Sequence, residues 1–356
     1  MFVLDSHCDT PSQILRARDL SKDNPYSHVD IPKLFRGKVD GAFFALYIPA
    51  VLDKDPDSGF EYAGKLLDGI SSAVEANSSR MAFATSAEQA FINKEKGLFS
   101  VFLGLENGSP IGDSLERLEW FRDAGVRYIT LCHSGNNQIC DSCATVEKRW
   151  GGLSPFGRDM VREMNRMGIL TDVSHISDKS FYDVLETSVC PVVATHSCCR
   201  SLAGHPRNMT DEMIRDMASA GGVIQINFYP VFLDSVFHQI LSSSGIVDRG
   251  ERIENEFISD PCNALKREAW HSVLQELRDL TRPSYKRIAD HIDHAVDIAG
   301  IGHVGIGSDF DGIEVAPEGM EDISCLPVLF EELRERGYSE SDIALIAGGN
   351  FLRLID

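Results

Sequence analysis

Eight short runs of β-branched and aromatic residues recur along the chain, and each is followed by a stretch whose apolar residues repeat with helical periodicity. This pattern directs the chain towards a parallel sheet covered by helices, because parallel neighbours need a crossover long enough to hold a helix. The predicted strands cover residues 2–7, 41–47, 98–105, 127–132, 169–174, 191–195, 223–228 and 303–308, and helices are predicted at 58–75, 113–124, 154–167, 178–186, 211–220 and 284–298. Capping residues support several of these helix starts: Ser177 or Asp178, Thr210 with acidic residues in its first turn, and Ser339 followed by Asp342. Each crossover must be right-handed, and eight tilted strands fill their own interior. The expected fold is therefore an α/β protein of the (β/α)8 TIM-barrel type with long loop insertions; an open doubly wound sheet is the alternative.

The 356 residues exceed the roughly 250 of a typical barrel. No linker or low-complexity segment divides them, so one domain over 1–356 is expected, with the surplus at 11–39, 134–152 and 230–283. The last stretch contains an amphipathic helix predicted at 261–281 after a polar, acidic run at 248–260, and it is expected to act as a lid or subunit interface. With 54 acidic against 34 basic residues the formal charge is -20, which argues against nucleic-acid or anionic-membrane surfaces. No basic-then-apolar leader and no apolar run long enough to span a bilayer is evident, and nine scattered cysteines fit reduced thiols, so a cytoplasmic location is expected. Cys140 and Cys143 form a CxxC with no second pair to complete a zinc site, and a loop of free thiols is the expectation there.

In a barrel the chemistry sits at the C-terminal ends of strands. Six of the eight predicted strands finish on metal-ligating or acid/base residue types: His7 and Asp9, Glu106, His133, Asp172 and His175, His196, and Asp309 and Asp311. One such histidine is more often a hydrogen-bonded structural residue than a ligand. Four imidazoles and several carboxylates converging on one rim require a compensating cation, and imidazole with carboxylate suits zinc ahead of manganese, cobalt or iron. There are more ligand candidates than one four-coordinate ion needs, so two ions bridged by a carboxylate and a hydroxide are expected. His291 and His294 read as surface or helix-cap residues, His303 lies at the opposite end of its strand, and His28, His238 and His271 have no partners nearby in sequence.

These segments resemble the renal, or membrane, dipeptidase family of the metal-dependent amidohydrolase superfamily. The likeness is carried by residues 5–11, 104–108, 125–133, 153–157, 161–166, 205–208, 227–229, 307–312 and 348–353, together with the two histidine strands, whose histidines stand 196 - 175 = 21 residues apart. It spans essentially the whole chain and is closest to the microbial, soluble branch. The resemblance implies an amidohydrolase-like barrel holding two zinc ions, the first bound by His7 and Asp9, the second by His175 and His196, with Glu106 and a hydroxide bridging both. It further implies that Asp309 exchanges protons with that hydroxide, that His133 contacts the substrate carbonyl, and that Arg207 holds the C-terminal carboxylate of a dipeptide. Tolerance of C-terminal D-residues and a homodimer are also implied. Cys8 between the first ligands, and Cys198-Cys199 after His196, depart from the small or hydroxyl residues expected there.

Two other functions remain open. One is a different amidohydrolase activity, such as an N-acyl amino acid hydrolase or lactonase; many such enzymes use HxH on the first strand with a lysine bridge, whereas this chain has HxD and no strand-end lysine. The other is a non-catalytic metal-binding homologue, against which the presence of Asp309 and Arg207 speaks.

Overall fold

The computed structural model describes residues 1–355. Nine strands are present among them: β1 (Leu4–Cys8), β2 (Gly41–Tyr47), β3 (Met81–Phe83), β4 (Phe99–Glu106), β5 (Val126–Thr130), β6 (Leu170–Asp172), β7 (Val193–Ser197), β8 (Val223–Ile226) and β9 (Val304–Ile306). Eight of them run parallel in the order β1-β2-β4-β5-β6-β7-β8-β9, and β3 adds to β4 outside this path. Closure between the last strand and the first is made just past β9, where Asp309 N–H donates to the His7 carbonyl (3.0 Å) and Asp9 N–H to the Phe310 carbonyl (2.9 Å). The fold is thus the expected TIM-type barrel, nearly closed, with β3 as an addition that a three-residue run in polar surroundings does not announce.

Alternation along the strands separates two apolar layers. Phe44, Val101, Leu103 and Ile129 join the main core between strands and helices. Their neighbours Phe43, Phe102 and Tyr128 join Phe2, Leu4, Leu170, Val193 and Phe351 in a second cluster that fills the floor of the barrel. Phe43 lies 4.9 Å from Phe102, 5.0 Å from Tyr128 and 5.3 Å from Phe351, centroid to centroid, so the floor is a cluster of aromatic rings around Phe43, closed off by the last helical turn, Asn350–Leu352.

The helices start where capping chemistry places them. Ser154, Ser177 and Thr210 accept from the backbone N–H three residues on, and Ser339 with Asp342 makes a full capping box. Pro155 opens the helix Pro155–Met167, and Gly168, at φ 70°, ends it in the left-handed conformation. The 230–283 stretch differs from its sequence expectation: the acidic run is itself a helix, Ile246–Ser259, ahead of Ala264–Arg278. Ile246, Phe257, Trp270, Val273, Leu274 and Leu277 make a separate small core with Phe237 and Leu241 of the helix Ser235–Ser243. Burial of Ile246 and Phe257 against that core outweighs a helix start with no side-chain cap. Among the described residues no helix is long and apolar enough to cross a membrane.

Candidate active site

Seven of the eight residues singled out from the sequence converge at the C-terminal rim of the barrel, and Arg207 packs beside them against the end of β7. Each of three trios, His7–Asp9–Glu106, His7–His196–Asp309 and Glu106–His133–His175, has its ligand atoms within 4.8 Å of one another. Glu106, at the end of β4, faces two ways. Its Oε2 lies 3.4 Å from His7 Nε2, while Oε1 lies 3.1 Å from His175 Nε2, 3.4 Å from His196 Nε2 and 3.8 Å from His133 Nε2. His7 Nε2 also has Asp9 at 3.5 Å and Asp309 at 3.9 Å. His133 and Asp309 therefore stand only a few tenths of an ångström farther from the cluster than the five residues to which the family resemblance gives the metals.

The donor set fits divalent cations. His196 Nδ1 lies 2.8 Å from Thr195 Oγ1, and that hydroxyl donates to Asp172 (2.7 Å). The hydroxyl can then only accept from the ring, which puts the proton on Nδ1 and leaves Nε2 as a lone pair. That lone pair faces His175 Nε2 at 2.9 Å. Burial pushes His175 and His196 well below the ordinary imidazole range, helped by Arg207 at His175 and by His7 and then Arg207 at His196, which favours the neutral form that an imidazole needs to bind a cation. His7 Nε2 is buried without any hydrogen-bond partner. Burial works against protonation of His7, yet Glu106 and Asp9 overcome it and carry its pKa well above the usual value. Burial, then Glu106, pushes Asp9 up to about 6, and burial pushes Asp309 up to about 6 with Asp9 adding to it and His7 opposing. A polar set this crowded and this poorly paired is what cations would neutralise.

The supporting roles of Tyr128, Asp172 and Asn227 were not visible in the sequence, although Asp172 is one of the strand-end residues named there. Tyr128, read only as part of an apolar strand, places its hydroxyl 2.8 Å from His7 Nδ1 and fixes that ring from the floor side. Asp172 gathers the Thr130 and Thr195 hydroxyls at 2.5 and 2.7 Å and so orients His196 indirectly. Asn227 donates to Asp309 Oδ2 at 2.9 Å. For Tyr128 and Asn227 the available signal was a hydroxyl or amide inside an otherwise apolar strand, whereas Asp172 was already marked as a strand-end carboxylate. Arg207 is buried, donating to Ser197 Oγ (2.7 Å) and to the His196 carbonyl (2.6 Å), while its Nε has no partner.

Other expectations are corrected or refined. His291 is not at the surface: it is fully buried, accepting from Cys199 N–H (3.1 Å) and facing the Leu233 carbonyl (3.0 Å), partners remote in sequence. His294 pairs with Asp211 at 2.9 Å, and His28 accepts from Asp311 N–H at 3.1 Å. Cys140 and Cys143 are free, and Cys143 N–H donates to the His175 carbonyl (2.8 Å).

Residues 1–356 match the family model described as membrane dipeptidase, peptidase family M19. Dipeptidase verJ of Clonostachys rogersoniana is 30% identical over 93% of this chain and 76% of its own length. Among solved structures, the probable dipeptidase PvdM from Pseudomonas aeruginosa superposes with a TM-score of 0.84 at 28% identity, covering 99% of this chain and 94% of that one. A metallo peptidase from Rhodobacter sphaeroides, liganded with a phosphinate mimic of the dipeptide L-Ala-D-Ala, gives 0.78 at 25% identity over 100% and 98% of the two chains. Fold, rim chemistry and relatives together define a barrel hydrolase of the metallopeptidase class. The chain belongs to the membrane dipeptidase family, M19, and is a metallo-dipeptidase.

Proposed function

We propose that this dipeptidase works with two zinc ions, held by His7 and Asp9 and by His175 and His196, and bridged by Glu106, and that it cleaves dipeptides with a free C-terminal carboxylate. The observation that carries this reading is the split orientation of Glu106, one oxygen towards His7 and the other towards His175 and His196. When bound, such a pair supplies Lewis acidity and lowers the pKa of a water from about 15.7 towards about 7.

The chain's own groups do the rest. Asn227 anchors Asp309 Oδ2, leaving Oδ1 to take a proton and return it to the leaving amine. His133, held neutral because burial and then Arg207 push its pKa down to about 4, polarises the scissile carbonyl by donating from one ring nitrogen. Arg207 spends one hydrogen of each terminal nitrogen on Ser197 and His196, which leaves Nε–H and the remaining hydrogens for a substrate carboxylate. Acceptance of a C-terminal D-residue is supported by the L-Ala-D-Ala mimic on the Rhodobacter sphaeroides relative. The proposal extends to a single domain with the 230–283 helices as lid or subunit contact, to a homodimer, and to a cytoplasmic location consistent with nine free cysteines.

The test is a panel of L-L and L-D dipeptides, N-acyl amino acids and lactones, incubated with and without chelator, with metal measured on the same sample. Amine release from dipeptides that disappears with chelation is expected, accompanied by two zinc ions per chain. Turnover confined to N-acyl amino acids or lactones would move the chain to the other amidohydrolase activities, and metal without turnover to the non-catalytic alternative.

A further inference from the structure

Asp311 has no part in the chemistry above, yet it is buried and tied on every side. Its Oδ1 accepts from Arg18 (2.6 Å) and from His28 N–H (3.1 Å), and its Oδ2 from the Thr10 hydroxyl (3.0 Å). Its own N–H donates to His28 Nδ1 (3.1 Å), and its carbonyl accepts from Gln13 Nε2 (2.9 Å). Arg18 in turn reaches Gln13 Oε1 at 3.1 Å. A charge-assisted pair that is both buried and reinforced by backbone groups is a rigid anchor rather than a solvated surface contact.

What it anchors is the turn that carries Asp309. Asp309 and Asp311 sit at φ 65° and φ 68°, in the left-handed region that residues other than glycine rarely adopt and that persists only where surroundings over-determine it. The turn is pressed against the rim: a Cβ added at Gly312 would come within 2.0 Å of Asp9 Oδ2 and 2.7 Å of Asp309 Oδ1. Thr10, one of the groups on Asp311, directly follows Asp9. One carboxylate therefore ties the end of β1, the loop residues Arg18 and His28, and the turn after β9.

We propose that Asp311 is the positioning residue for Asp309, holding the turn 308–312 in the conformation that aims Asp309 at the metal-binding cluster. The inference rests on the reading of Asp309 as proton carrier. Misplacement of a reacting group by about 1 Å can cost about 10²-fold in rate, so Asp311→Ala should lower kcat by about that factor at unchanged KM and metal content. In an Asp309→Ala background the same substitution should do nothing further to kcat, since it acts through the residue already removed. Arg18→Gln should lower kcat in the same sense, and Arg18→Lys should restore part of it.

Cobalt-loaded protein gives a readout that needs no substrate. The visible absorption of Asp311→Ala should shift in the same direction as that of Asp309→Ala at equal cobalt content. An unshifted spectrum overturns the inference, as does a wild-type kcat with only a lowered melting temperature, or an additive loss in the Asp309→Ala background. Should Asp311→Ala not fold, the Arg18 pair decides by the same criteria. A wild-type protein that cleaves no dipeptide defeats the proposed function, and the cobalt spectra still judge Asp311.

Discussion

The floor and the rim of this barrel are built from the same strands and obey opposite rules. On the floor Phe102, Tyr128 and Phe351 each pack about 5 Å from Phe43, centroid to centroid, and the rings are satisfied by apolar contact. A few residues further along the strands, imidazoles and carboxylates crowd together, His7 Nε2 and Asp9 Oδ1 are buried without partners, and His175 and Asp309 adopt left-handed backbone. The contrast teaches where stability and activity reside. The floor supplies the free energy that lets the rim remain strained and underpaired.

Substitutions can break that division or sharpen it. Asp309→Asn should have the largest effect, a loss of about 10²–10⁴-fold in kcat, with metal content and melting temperature retained; metal analysis beside steady-state kinetics checks both halves. Phe43→Ala should do the reverse, costing about 3–5 kcal/mol of stability in denaturant titration while the residual folded enzyme keeps its kcat. Tyr128→Phe lies on the boundary, because its ring belongs to the floor and its hydroxyl to His7. Competition with a chelator should show metal affinity reduced by about 10–100-fold with little change in stability, and an equal loss of both would erase the boundary.

The smallest effect concerns Glu314, which burial and then Glu254 push up to about 7. A carboxyl whose folded pKa is raised lends stability below its unfolded pKa of 4.5, and loses it as pH climbs towards 7. Glu314→Gln should therefore melt higher than wild type at pH 8 and equally at pH 4.5, and a difference of the same size at both would refute the assignment.

The rim was legible in the sequence because a barrel strand announces its active end: one apolar run that stops on His, Asp or Glu is unremarked, but six strands stopping that way are hard to account for by packing alone. The floor's contribution was not legible, since Tyr128 in an apolar run looks like any core aromatic until Gly104 and His7 are placed beside it. The helix Ile246–Ser259 escaped notice because it starts without a side-chain cap and its polar, acidic face dominates the composition. His291 escaped because its partners, Cys199 and Leu233, are 92 and 58 residues away. Local pattern reports what a residue is, and only the closed barrel reports what stands opposite it.

Gly104 and Tyr128 restrict the routes by which such a chain can change its sequence. A Cβ at Gly104 would lie 2.2 Å from the tyrosine ring, so the pair is complementary in size, one side empty because the other is full. Neither position can drift alone. Where two parental sequences fill this space differently, a recombinant with a crossover between these residues would inherit either a collision or a hole, and Tyr128 would lose its hold on His7. Crossovers placed before Gly104 or after Tyr128 keep the two together, and libraries built that way should retain far more metal-competent progeny.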